Sequence, residues 1–148
     1  MNLPDYMGDW FEIASYKKGC FTPKTTHRKS SYYLERNGSI VVAERGRLLN
    51  YPYTMIGIAE IDPEFDDPSR LHMSFHSCIP SWREYWIVST DYRYSIVGNI
   101  ARNSLVILYR EPHMPSDLYE KCLQVARQCR FDTDKLVRMD HGEPQSKL

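Results

Sequence analysis

"YWIVSTDYRYSIVGNIARNSLVILYR", residues 85–110, holds three apolar runs separated by two polar breaks, "STDY" at 89–92 and "NIARN" at 99–103. Short runs rich in Val, Ile and Tyr between turn signals read as strands, here 83–90, 93–98 and 103–110. Upstream the same rhythm gives strands at 10–16, 29–36, 39–46, 53–61 and 70–76. Asn37-Gly38 marks a tight hairpin, because both central residues must take positive φ. "IDPEFDDPS" (61–69) and "SCIPSW" (77–82) supply further turns. Eight strands in a meander predict an all-β fold, an eight-stranded antiparallel up-and-down β-barrel that hides its strand edges by closing on itself.

After Pro115 the period changes. Ser116 is an expected N-cap, and Leu118, Cys122, Val125 and Cys129 follow at helical spacing, with Tyr119, Leu123 and Ala126 widening the stripe. This predicts one C-terminal α-helix over 116–129 that packs on the barrel, then a short ninth strand at 135–140. The expected organisation is a single domain over 1–148: barrel 6–112, helix 116–129, strand 135–140 and a flexible tail 141–148.

Odd strands of such a barrel start at the end where even strands finish. Gly8, Asp9 and Trp10 open the first strand, Thr90-Asp91-Tyr92 close the sixth and Arg110 closes the eighth, so they meet although a hundred residues separate them. Arg110 is expected to lie over the Trp10 indole, a cation–π contact of about 1–2 kcal/mol. Gly8 lets the backbone pass close beneath the pair. These residues form a plug.

G-x-W on the first strand, T-D-Y after the sixth and Arg at the end of the eighth resemble the lipocalin signature. The resemblance runs from Tyr6 to about Asp140 and is similar to the bacterial-type, plant temperature-induced and apolipoprotein D branch. It implies a cavity wall of alternate inward residues: Tyr32, Leu34, Ile40, Val42, Glu44, Met55, Gly57, Ala59, Met73, Phe75, Tyr85, Ile87, Ser95, Val97, Ser104, Val106 and Leu108. Trp86, Leu105 and Ile107 would then face the helix. From these the expected ligand-binding set is Tyr32, Leu34, Val42, Glu44, Met55, Ala59, Met73, Phe75, Tyr85, Ile87, Val97, Val106 and Leu108. Small residues at 57, 59, 95 and 104 opposite aromatics argue for a void rather than a filled core. Methionines adapt to a flexible chain. Glu44 needs a partner or a raised pKa if it points inward, and is otherwise a carboxylate in water near the rim.

The loop "KKGCFTPKTTHRK" (17–29) reads as a basic rim of Lys17, Lys18, Lys24, Arg28 and Lys29 with Phe21 as a lid, suited to steering an anionic head group. Elsewhere the composition is neutral, 19 Lys plus Arg against 19 Asp plus Glu, which gives no reason to expect nucleic acid as a partner. No run approaches the ~20 apolar residues of a spanning helix, and the N-terminus lacks the flank of a signal peptide. Cys122 and Cys129 sit about 10.5 Å apart along a helix, too far to bond to each other. Cys20–Cys78 is a conceivable bridge, and free thiols are the alternative. His72 and His76 flank the fifth strand with outward parity, and no ligand spacing suggests a metal or cofactor.

The resemblance implies a protein that carries or sequesters one small hydrophobic ligand, a fatty acid or lysophospholipid first. The alternatives are a lipocalin-fold enzyme, for which no inward Cys or Ser-His-Asp set is present, and a ligand-free interaction scaffold. Ser146-Lys147-Leu148 match a peroxisomal address, which would make an import receptor a partner and the location peroxisomal or cytosolic. A secreted or periplasmic protein whose leader has been removed is the alternative.

Overall fold

Strand alternation and turn chemistry generate a closed barrel. The computed structural model describes residues 1–16, 24–75 and 82–144. Lys17, Lys18, Cys20, Phe21, His76, Cys78 and the tripeptide Ser146, Lys147 and Leu148 lie outside the described residues, and so do the expectations placed on them. A one-turn helix α1 (Leu3–Tyr6), absent from the sequence reading, precedes β1 (Gly8–Tyr16), β2 (Thr25–Leu34), β3 (Ile40–Leu48) and β4 (Tyr51–Ile61). Then come β5 (Arg70–Phe75), β6 (Arg83–Thr90), β7 (Tyr94–Gly98), β8 (Leu105–Tyr109), α2 (Ser116–Gln128) and β9 (Leu136–Arg138). Each of β1 to β8 pairs antiparallel with its sequence neighbour, and β8 returns to β1, closing the ring.

β1 changes neighbours halfway along its length. Its lower half pairs with β2 from Gly8↔Tyr32 to Phe11↔Lys29. Its upper half pairs instead with β9, from Ala14↔Arg138 to Tyr16↔Leu136. The wall between β1 and β2 therefore splits above Phe11. A second irregularity lies opposite, where the β2–β3 register shifts between Thr26 and Lys29 and His27 takes φ 58°.

Two cores result. Inside the barrel, toward the α1 end, pack Tyr6, Trp10, Tyr32, Ile40, Val42, Ala59, Leu71, Met73, Ile87, Val97 and Leu108. Outside, α2 lays Cys122, Leu123 and Ala126 against Ile13, Tyr94, Ile96, Leu105 and Ile107, with Trp86 at the margin. That is why β6, β7 and β8 are apolar on both faces. The helix begins one residue differently from expectation: Pro115, not Ser116, is the N-cap, and no side chain caps the first turn. Proline has already fixed φ at that position, so the turn starts without a hydroxyl. Tail residues 141–142 are docked rather than free, since the His141 ring donates from Nε2 to the Glu12 carbonyl and Gly142 O accepts from His113 Nε2 at 3.0 Å.

Candidate functional site: a cavity above a sealed floor

At the end where β1 starts, Arg110 converts five backbone carbonyls into ligands of one guanidinium. Its Nη1 donates to Met7 and Asp9 at 2.9 Å, Nη2 to Asp5 at 3.0 Å and Tyr6 at 3.3 Å, and Nε to Tyr92 at 2.9 Å. The guanidinium carbon stands 3.7 Å from the centre of the Trp10 ring, and Trp10 donates from Nε1 to the Tyr6 carbonyl at 2.8 Å. Gly8 adopts φ 95°, and a Cβ there would come within 3.4 Å of Arg110 Nη1. Thr90, Asp91 and Tyr92 shape the neighbouring turn: Thr90 Oγ1 accepts from Tyr92 N, Asp91 Oδ1 accepts from Arg93 N and Tyr94 N, and Tyr92 takes φ 70°. These residues meet at one end of the barrel, and α1 lies there with Tyr6 fully buried.

Above the plug runs a chain of hydroxyls. Tyr6 shares hydrogen bonds with Ser95 (2.8 Å) and Tyr85 (3.0 Å), and Tyr85 shares one with Tyr32 (3.0 Å). Burial pushes the Tyr6 phenol up to about 12 and raises those of Tyr32 and Tyr85, so all three stay protonated.

The cavity opens above these tyrosines. A space of about 440 Å³ is lined by Met73, Phe75, Tyr85, Val97 and Val106, with Arg83, Glu84, Gly98, Asn99 and Ser104 toward the mouth. A volume of this order suits a small-molecule site. A side pocket of about 120 Å³ shares Met73, Phe75, Tyr85 and Val106 with it. Its remaining wall is Glu12, Arg28, Ser30, Tyr32, Glu44 and Leu108.

The side pocket stands where β1 and β2 part. Arg28 Nη1 reaches the Glu12 carboxylate at 3.2 and 3.3 Å, across the split. Arg28 Nε donates to the Tyr53 hydroxyl at 3.3 Å, and Tyr53 donates on to Glu44 Oε2 at 3.2 Å. Burial opposes the charge on Arg28, but the Glu12 carboxylate, the Tyr53 hydroxyl and the Glu44 carboxylate together outweigh it and hold the guanidinium protonated.

Most of the expected wall meets in this space. Tyr32, Glu44, Met73, Phe75, Tyr85, Val97, Val106 and Leu108 line one cavity or both, while Val42, Ala59 and Ile87 lie beneath in the packed core. Leu34 and Met55 do not line it. Leu34 is 40% exposed at the lower end of β2, beside the hairpin. Met55 is 43% exposed, on the part of β4 that precedes its pairing with β5 among the described residues, which begins at Gly57. Of the small residues that argued for a void, only Ser104 lines it. Phe75 and the Ser74 carbonyl fill the space over Gly57, where a Cβ would meet each at 2.8 Å. Ser95 is spent on Tyr6. The basic rim also divides: Arg28 turns inward, Lys29 turns outward to Asp9 at 3.4 Å, and Lys24 stays exposed. His72 faces outward, 3.4 Å from Glu60, as its parity requires.

Glu12 escaped the sequence reading, although it is two residues from inward Trp10 and so shares its face. Arg28 was assigned to a loop because the left-handed His27 and the register shift disguise the start of β2.

Residues 1–141 match the family model described as a lipocalin-like domain. The chain is 29% identical to temperature-induced lipocalin-1 of Arabidopsis thaliana, covering 99% of this chain and 80% of that protein. It is 27% identical to the outer membrane lipoprotein Blc of Citrobacter freundii, over 89% of this chain and 75% of that one. Its fold is similar to insecticyanin from the tobacco hornworm Manduca sexta, with a TM-score of 0.79 at 18% identity, covering 97% of this chain and 82% of the other.

Proposed function

The chain belongs to the lipocalin family, whose members bind small hydrophobic ligands, and on that premise we propose that it carries or sequesters one fatty acid or lysophospholipid. The observation that supports this reading is the apolar cavity of about 440 Å³ above a sealed floor, with Arg83 on its lining. A hydrocarbon chain would lie along Met73, Phe75, Val97 and Val106, leaving a carboxylate or phosphate near Arg83 and water. A carrier needs a rigid floor and an open mouth, and an enzyme would need in addition a reacting pair aimed at the ligand. Native mass spectrometry after incubation with mixed fatty acids and lysophospholipids tests the reading. A retained 1:1 lipid supports it; chemical turnover of the lipid would favour an enzyme, and an empty protein a scaffold.

Where Ser146-Lys147-Leu148 stands at a free C-terminus, the location proposed is peroxisomal or cytosolic, the former through an import receptor that reads the tripeptide. The related Blc is by its name an outer membrane lipoprotein, so the address needs its own experiment. An N-terminal fluorescent fusion that remains diffuse in a host with active peroxisomal import would discard it. Among the described residues no helix is long and apolar enough to cross a membrane.

A further inference from the structure

The carrier reading leaves the side pocket unexplained, because a plain hydrocarbon gains nothing from an ionic wall. Arg28, Glu12 and Glu44 stand around about 120 Å³ that adjoins the main cavity, room for roughly four waters. On the outer side of this group, a hydroxyl already joins the two charges: Tyr53 accepts from Arg28 Nε and donates to Glu44 Oε2. Arg28 Nη2 and Glu44 Oε1 have no hydrogen-bond partner among the described residues. A donor and an acceptor are thus left on residues that line the pocket.

Three kinds of ligand group can be compared with that pair. A methylene would strip water from both charged groups and return no hydrogen bond. A carboxylate would face two glutamates against one arginine already engaged by Glu12. A hydroxyl accepts from the guanidinium and donates to the carboxylate, repeating what Tyr53 does on the other side.

We propose that the pocket between Arg28 and Glu44 receives a hydroxyl borne on the ligand's hydrocarbon, so that the protein selects chain-hydroxylated acyl lipids over plain ones. This rests on the carrier reading. Glu12 also ties Arg28 across the β1–β2 split, so the same ion pair holds the wall and orients the guanidinium.

Displacement of a fluorescent fatty acid from the wild-type protein measures the selection, using stearate, a positional series of hydroxystearates and the matching methoxystearates. At least one hydroxystearate should bind about tenfold tighter than stearate, and its methoxy ether, which cannot donate to Glu44, should lose that advantage. In Glu44→Met the ratio of hydroxystearate to stearate affinity should collapse toward one; Tyr53→Phe should leave that ratio in place. Equal binding of stearate and every hydroxystearate overturns the inference and leaves the carrier reading standing. Failure of all the acids to bind overturns both. The wild-type series decides the matter even if Glu44→Met does not fold.

Discussion

The floor and the side pocket each centre on an arginine, and the two arginines are used in opposite ways. Arg110 gives its hydrogen bonds to backbone carbonyls of the N-terminal segment and the β6–β7 turn, and its face to Trp10. Arg28 is bound to side chains, Glu12 and Tyr53, and keeps Nη2 without a protein partner among the described residues. A guanidinium saturated by main chain can only hold structure. One held by side chains, beside a cavity, has capacity left for a ligand.

The sharpest way to break this contrast is to remove Arg110. Arg110→Ala should cost about 3 kcal/mol or more, from charge-assisted hydrogen bonds and the cation–π contact. For a chain of this size that lowers Tm by roughly 6–12 °C. Affinity for a fluorescent fatty acid should stay within about twofold, since the cavity lies above the floor. A thermal melt and a titration read both quantities, and an unchanged Tm would show that the plug is ornamental.

Filling the cavity should do the reverse. Ser104→Trp puts an indole into the larger space and should weaken lipid binding at least about tenfold while the melt moves by only a few degrees. Gly57→Phe is a contrasting control. Its Cβ would fall 2.8 Å from the Ser74 carbonyl, so it should damage the β4–β5 pairing and stability together with binding. Wild-type affinity in folded Ser104→Trp would place the ligand elsewhere.

The smallest effect concerns pH. His141 covers the split wall from outside, its ring against Phe11 and its Nε2 on the Glu12 carbonyl. Burial, aided by the nearby His27 and His113, lowers its pKa below the usual 6.5. The unfolded chain then binds the proton more readily, so stability is complete above about pH 6.5 and declines as pH falls toward the lowered folded value. Melting curves between pH 7.5 and 5 should show this slope, and His141→Gln should flatten it. An unaltered slope would assign the pH dependence to other groups.

How much was legible in the sequence follows from the same contrast. Trp10, Gly8, Thr90, Asp91, Tyr92 and Arg110 are residue types with few substitutes for their geometry, so the floor could be read from identity and strand direction alone. The inner wall needed the family resemblance as well, because period-two alternation separates the two faces of a strand without saying which one is inside. The side pocket was not legible, because its members are distributed over β1, β2, β3 and β4 and depend on where β2 begins. Starting that strand at 29 rather than at Thr25 left Arg28 in a loop with lysines that face elsewhere. Glu12 was legible in principle: a carboxylate in phase with Trp10 on an otherwise apolar strand face asks for a partner. The void could not be located from small residues, since a small residue marks either empty space or a neighbour that has filled it, as Phe75 does over Gly57.

The reach of Arg110 also orders events in time. Its carbonyl partners at Asp5, Met7 and Asp9 lie 101 to 105 residues upstream. Bringing such distant segments together costs about 4 kcal/mol of chain entropy before any contact is returned. On a growing polypeptide the floor has no guanidinium to organise it until residue 110 has been made, so residues 1–9 spend most of synthesis without their anchor. Local hairpins such as β2–β3 and β3–β4 have their partners within reach far sooner. The bottom of this barrel is therefore a clasp fastened only after the hairpins, and Trp10 is the hydrophobic surface left waiting for it.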